Sequence, residues 1–126
     1  MLTTLFIGLL LNDTQFFKGS VDDLFSTAKE QQKVVVVDVY TEWCGPCKLM
    51  DRNTWSNEKV LSFLTENAVS MKIDAEKGEG QNFAKKYKVA GYPCILIFNS
   101  EGELIDRRMG YLPPREFLNW ANSSLE

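Results

Sequence analysis

Cys44 and Cys47, within Trp43-Cys44-Gly45-Pro46-Cys47-Lys48, are the residues of this chain whose types and spacing best suit chemistry. Thiols with two residues between them at the start of a helix lie within reach of each other, so one can attack a disulfide and the other can then close a ring with it. Cys44 reads as the N-cap of the helix that follows, with Gly45 and Pro46 in a first turn where proline is tolerated. The Cys47 amide then points toward the Cys44 sulfur and, with the helix dipole, favours its thiolate. Cys44 is accordingly the expected nucleophile and Cys47, on the inner side of the helix and more buried, the resolving thiol. Cys47 needs a base. Asp38, six residues before Cys44 in an otherwise apolar run, is the candidate, because an unpaired buried carboxylate has a raised pKa and can accept and return a proton. Rival readings stay open: a half-built metal knuckle or two packed thiols for the cysteines, a carboxylate satisfied by backbone amides for Asp38, and pure packing for Trp43. Lys48, Glu42 and Asp51 read as a solvated helix face.

Other chemistries are narrowed by composition. The 126 residues contain no histidine, which removes the commonest general base and metal ligand. Three cysteines are too few for a disulfide scaffold and one short of a four-thiolate zinc site. The reading therefore calls for no metal and for no cofactor beyond the Cys44-Cys47 pair. A net charge of -3 without a basic run offers no footprint for nucleic acid. With 44% hydrophobic residues, the chain can bury one core without staples.

The elements that must position the cysteines follow from periodicity. Residues 1–13 form an apolar N-terminal segment, expected as a signal remnant or a docked extension. The run Leu2 to Leu11 is too short to span a bilayer. Residues 14–126 are expected as one domain. A short strand is predicted over Thr14 to Lys18, and Ser20 with Asp23 resembles a capping box opening an amphipathic helix to about Gln32. Val34 to Tyr40 reads as a central parallel strand. A helix is predicted from Cys44 to about Thr54, and a second, capped by Ser56 or Asn57, carries Val60, Leu61, Leu64 and Ala68. Val69, Met71 and Ile73 alternate as a strand does, and Phe83, Ala84 and Tyr87 mark a short helix. Ile95 to Phe98 and Leu104 to Met109 flank the turn 99–102 as a hairpin. Pro113 and Pro114 open a last helix with Phe117, Leu118 and Ala121 buried. The order predicts an α/β fold whose sheet is mainly parallel with an antiparallel edge and has helices on both faces. The cysteine pair falls just past the carboxyl end of a strand, where open α/β sheets form sites.

The segment Val37-Asp38-Val39-Tyr40-Thr41-Glu42-Trp43-Cys44-Gly45-Pro46-Cys47-Lys48 resembles the active-site segment of the thioredoxin family. Gly91-Tyr92-Pro93 falls where that family has its cis-proline loop, and Gly102 and Gly110 fall at its hairpin and last-strand glycines. The resemblance runs from about Phe16 to Leu125. It implies the thioredoxin fold, a central mixed sheet of four to five strands with helices on both faces, with Cys44 as nucleophile, Cys47 as resolving thiol and Asp38 as the buried acid. It also implies Pro93 in cis facing the disulfide, and a substrate groove flanked by Trp43 and Tyr92 in which a bound peptide pairs like an added strand. Three features depart from the common pattern. The stretch from Lys48 to Val60, with Asn53-Thr54-Trp55-Ser56-Asn57, is similar to the C-terminal domain of the bacterial transmembrane disulfide-reductase transporters. Ser70 stands where a lysine usually lies near the buried acid. Cys94 stands where threonine usually follows the cis-proline; it is a possible third thiol, expected to be a small buried residue without a redox role.

The resemblance implies a protein-disulfide reductase, since Gly-Pro is the dipeptide of reducing members. The alternatives are an oxidase or isomerase of disulfides in exported proteins and a non-enzymatic thiol or metal module. The expected partners are disulfide-containing substrate proteins and an upstream electron donor, either a reductase or a membrane transporter, with the chain itself a monomer. The periplasm or cell envelope is the favoured compartment and the cytoplasm the alternative.

Overall fold

Seven residues rich in β-branched side chains, Val34–Tyr40, make β1, and five of them are buried because both faces of this strand are covered. In the computed structural model, which describes residues 16–125, β1 lies inside a four-stranded sheet of order β2-β1-β3-β4. The apolar segment 1–13 lies outside the described residues. The other strands are β2 (Ala68–Asp74), β3 (Cys94–Phe98) and β4 (Leu104–Met109). Helices α1 (Val21–Gln31), α2 (Gly45–Leu49), α3 (Glu58–Asn67), α4 (Glu79–Lys86) and α5 (Pro114–Ser123) cover it. Among the described residues no helix is long and apolar enough to cross a membrane.

The sheet is mixed, but less parallel than expected. β1 pairs in parallel with β2, while the β1·β3 and β3·β4 pairings are both antiparallel. β3 of the hairpin enters directly beside β1 and β4 forms the edge, so the antiparallel part takes up half of the sheet. The expected strand over 14–18 is not formed by residues 16–18. Phe17 N–H nevertheless donates to Ser70 O at 2.6 Å along the outer edge of β2.

Alternation along β1 divides the core in two. Val35, Val37 and Val39 point toward α1 and α4, where they pack with Leu24, Ala28, Phe83, Leu96 and Phe98. Val36 points to the opposite face, among Met50, Trp55, Val60, Leu64, Ile95 and Phe117. Trp120, unmarked by the sequence reading, is also buried there, beside the expected Phe117 and Ala121. Leu118 is half-buried against the same cluster.

Local signals explain the ends of the elements. Ser20 Oγ accepts from Asp23 N–H at the start of α1, and Asn57 Oδ1 accepts from Lys59 and Val60 N–H at the start of α3. In the hairpin turn Asn99 Oδ1 accepts from Glu101 and Glu103 N–H, and Gly102 supplies a φ of +88°.

The helix expected to run unbroken to Thr54 is interrupted. α2 ends at Leu49, and Met50–Thr54 is a π-helical turn closed by Trp55 N–H donating to Met50 O at 2.8 Å. Thr54 Oγ donates to Leu112 O at 2.6 Å, and Leu112 N–H donates to Met50 Sδ, so the turn is anchored to the segment leading into α5.

Gly80, in the first turn of α4, lies so close to the Asp74 carbonyl that a Cβ would overlap it. An ordinary helical glycine-to-alanine change gains up to about 1 kcal/mol. Gly80→Ala is instead expected to destabilise the chain by roughly 1–3 kcal/mol, read as a lower urea midpoint with an unchanged slope.

Candidate functional site

Three connections meet at one end of the sheet. β1 runs out at Tyr40 into the cysteine loop, β2 runs out beside it at Asp74, and β3 starts there in the opposite direction, with Cys94 opposite Val39. Ala75 N–H donates to Tyr40 O at 2.9 Å, tying the second connection to the first.

Cys44 is the N-cap of α2, as expected, and its Sγ accepts from Cys47 N–H at 3.1 Å. Pro46 sits in the first turn, and Gly45 and Pro46 are exposed. The two cysteines are joined as a disulfide with their Cα atoms 5.3 Å apart. The expected difference in burial between them is not seen. Both residues are 3% exposed, because sulfurs bonded to each other share one environment.

Trp43 is 65% exposed, which disfavours a pure packing role. Its Nε1–H lies 3.1 Å from both carboxylate oxygens of Glu76, and its ring meets Tyr92 edge to face at 5.9 Å. The Tyr92-Pro93 peptide bond is cis, and Pro93 is buried, its carbonyl accepting from Gly110 N–H at 2.8 Å. Tertiary structure thus brings Trp43, Tyr92 and Pro93 into one neighbourhood with the disulfide loop. Glu42 pairs with Lys77 on the exposed rim of the same loops.

Asp38 lies on the face of β1 that carries the α2 and π-turn layer, and it is 1% exposed. Oδ2 accepts from Trp55 Nε1–H at 2.8 Å, and Oδ1 has no hydrogen-bond partner among the described residues. The rival reading, a carboxylate satisfied by backbone amides, is therefore not what the site contains. Burial pushes the Asp38 carboxyl up from 3.8 to about 6, against the opposing pull of the Trp55 hydrogen bond and the Lys72 charge; Asp51 adds to the rise.

Sequence reasoning gave none of Trp55, Lys72 and Asp51 a part in the site. Lys72 is opposite Asp38 in the β1·β2 register, two residues beyond Ser70 on the same face of the strand. It is ion-paired with Asp51 and stacked over Tyr40. A cation near the buried acid is thus supplied from a neighbouring position, with Ser70 itself buried opposite Val36. Asp51, expected on a solvated face, is half-exposed yet engaged with this pair. The available signal was a tryptophan eight residues past Cys47 in an otherwise polar stretch.

Cys94 is a free thiol, 1% exposed, in the cluster with Val37, Val39 and Leu96. It occupies the sheet face opposite Asp38. Burial pushes its thiol up, and the Arg107 guanidinium only partly offsets this. Among the described residues no group of three or more Cys, Asp or Glu side chains is placed to hold a metal ion.

Residues 21–124 match the thioredoxin-like domain family. The chain is 36% identical over 96 residues to the thiol:disulfide interchange protein DsbD of Actinobacillus pleuropneumoniae, a match covering 73% of this chain and 16% of that protein. It therefore spans about a sixth of that relative's length. A proposed disulphide-isomerase from Bacteroides thetaiotaomicron has a similar structure, with 34% identity and a TM-score of 0.77, covering 88% of this chain and 92% of the other. The oxidised C-terminal domain of Neisseria meningitidis DsbD superposes with a TM-score of 0.69 and 26% identity, covering 82% and 90%.

The Asp38 shift makes stability depend on pH. The folded chain holds this proton up to about pH 6 and the unfolded chain only to about 3.8, so the group does not oppose folding below pH 3.8 and opposes it progressively as pH rises to 6. Asp38→Asn is expected to raise unfolding free energy at pH 8 by up to about 3 kcal/mol, and to leave it unchanged near pH 3.5. Urea titrations at the two pH values check this.

Proposed function

The chain belongs to the thioredoxin-like family of thiol-disulfide oxidoreductases, and on that premise we propose that it is a protein-disulfide reductase of the bacterial cell envelope. The observation that carries the reading is Cys44 at the start of α2, its sulfur accepting the Cys47 N–H, with an acid of pKa about 6 buried at the same end of the sheet. In the reduced chain the Cys44 thiolate, favoured by that amide, attacks a substrate disulfide. One substrate sulfur leaves as a thiolate, and the other is held in a mixed disulfide with Cys44. Asp38 takes the proton of Cys47, and the Cys47 thiolate attacks Cys44 Sγ, closing the Cys44-Cys47 disulfide and releasing the second substrate sulfur. The chain gives up two electrons and the substrate sulfurs take up two protons, balanced by the one that Cys44 had released to solvent on ionising and the one that Asp38 returns to solvent.

Trp43 and Tyr92 form an exposed aromatic edge suited to flanking an extended peptide, with Pro93 beside it. The similarity to DsbD supports an envelope location and a membrane transporter as the upstream dithiol donor. The chain works as a monomer. Cys94, buried on the other sheet face with its pKa raised, takes no redox part. The relative from Bacteroides thetaiotaomicron favours a second reading, an isomerase of exported proteins.

The reduction potential separates the two readings. A reductant is expected to lie near the thioredoxin value of about -270 mV and an isomerase near about -180 mV, measured in dithiothreitol or glutathione buffers by tryptophan fluorescence. Cys47→Ser is expected to accumulate a mixed disulfide through Cys44, and mass spectrometry finding Cys94 in the adduct would sink the structural reading of that thiol. Resolution of the mixed disulfide in the unaltered chain is expected to slow about tenfold for each pH unit below about 6, as Asp38 becomes protonated. A profile without that limb would remove Asp38 from the mechanism.

A further inference from the structure

A carboxylate accepts at about four lone-pair positions, and the described structure fills one of those on Asp38. Trp55 Nε1–H donates to Oδ2 at 2.8 Å, while Oδ1, equally cut off from solvent, faces no donor among the described residues. The two oxygens of one buried carboxyl are therefore unequal.

That donor is firmly held. Trp55 is 5% exposed and is wedged edge to face between Phe16 at 5.6 Å and Phe117 at 5.1 Å. Its backbone closes the π-helical turn, and the preceding Thr54 is anchored on Leu112. The indole cannot swing away without opening the core. A hydroxyl oxygen is a weaker acceptor than a carbonyl oxygen, so a proton on Oδ2 would weaken the Trp55 hydrogen bond, whereas a proton on Oδ1 leaves Oδ2 as the carbonyl acceptor.

We propose that Trp55 is a positioning residue for thiol exchange: its indole N–H commits Oδ2 of Asp38 as an acceptor and leaves Oδ1 as the oxygen that takes and returns the proton. This rests on the reading of Asp38 as the proton carrier for Cys47. The charged groups acting on Asp38 are Lys72 of β2, which favours the carboxylate, and Asp51 of the π-helical turn, which opposes it. On the β3 side its cross-strand partner is the apolar Ile95, and Cys94 lies next along that strand on the other face. None of these supplies a hydrogen-bond donor to Oδ1.

Two variants test the role. Trp55→Phe removes the N–H, and replacing Trp55 by 3-benzothienylalanine removes it while keeping the bicyclic shape, so loss of packing and loss of the donor are read separately. The Asp38 carboxyl would be titrated by carbon-13 NMR in the oxidised full chain, and the pH profile of mixed-disulfide resolution measured alongside. The proposal expects the Asp38 midpoint to rise by about one pH unit in both variants, since a lost charge-assisted hydrogen bond favours the protonated form. The acid limb of the kinetic profile is expected to rise with it. A midpoint that moves by less than about 0.3 of a unit in the benzothienyl variant overturns the proposal. A midpoint that rises while the kinetic limb stays in place overturns the assignment of Asp38 as proton carrier, and with it the catalytic part of the proposal, while leaving the hydrogen bond itself established.

Discussion

A carboxyl group on the middle of a buried strand constrains everything around it. Asp38 sits in a run of five buried residues, flanked by β2 on one side and β3 on the other, so it cannot reach water by a change of rotamer. An ionised carboxylate in such a place is costly without donors. The layer above the sheet responds by inserting Trp55, and it does so through a break in helix geometry. A π-helical turn follows α2 after only five residues, and the fragment is anchored to the chain entering α5. Packing, hydrogen bonding and the local helix defect all serve one polar group. The result is incomplete satisfaction, which leaves the acid titrating near pH 6 rather than near 4.

The same sheet separates the thiols. Cys44 and Cys47 stand on a helix start at the end of β1, within the layer that also holds Asp38, Trp55 and the Lys72–Asp51 pair. Cys94 begins β3 and faces the other layer, among valines, leucine and phenylalanine. Cys44 Sγ thus accepts an amide N–H, while the third sulfur meets mostly hydrocarbon. The chemical difference among three identical side chains arises from which face of the sheet each one occupies.

The mixed sheet matters for the site as well as for the fold. Because β3 runs antiparallel to β1, the loop before β3 and the loop after β1 lie at the same sheet end. Trp43 and Tyr92, 49 positions apart in the chain, come into ring contact for that reason. The β2 exit joins them through Tyr40 and Ala75, bringing Glu76 to the Trp43 indole. These links hold the disulfide loop between two other connections whose positions are set by the core.

Much of this was legible in the residues alone. The Cys44-Gly45-Pro46-Cys47 spacing, the N-cap geometry it imposes, the buried run containing Asp38, the caps at Ser20 and Asn57 and the hairpin at Asn99 all depend on interactions spanning a few positions, and local pattern reports them faithfully. The direction of β3, the break at Met50 and the partners of Asp38 were not legible, because each is settled by contacts between distant segments. Trp55 lies 17 positions from Asp38, and Lys72 reaches it only through strand register. Short-range chemistry therefore marked the cysteine pair and its helix cap, whereas the packing of one layer against another decided how the buried acid is held and on which side of the sheet Cys94 lies.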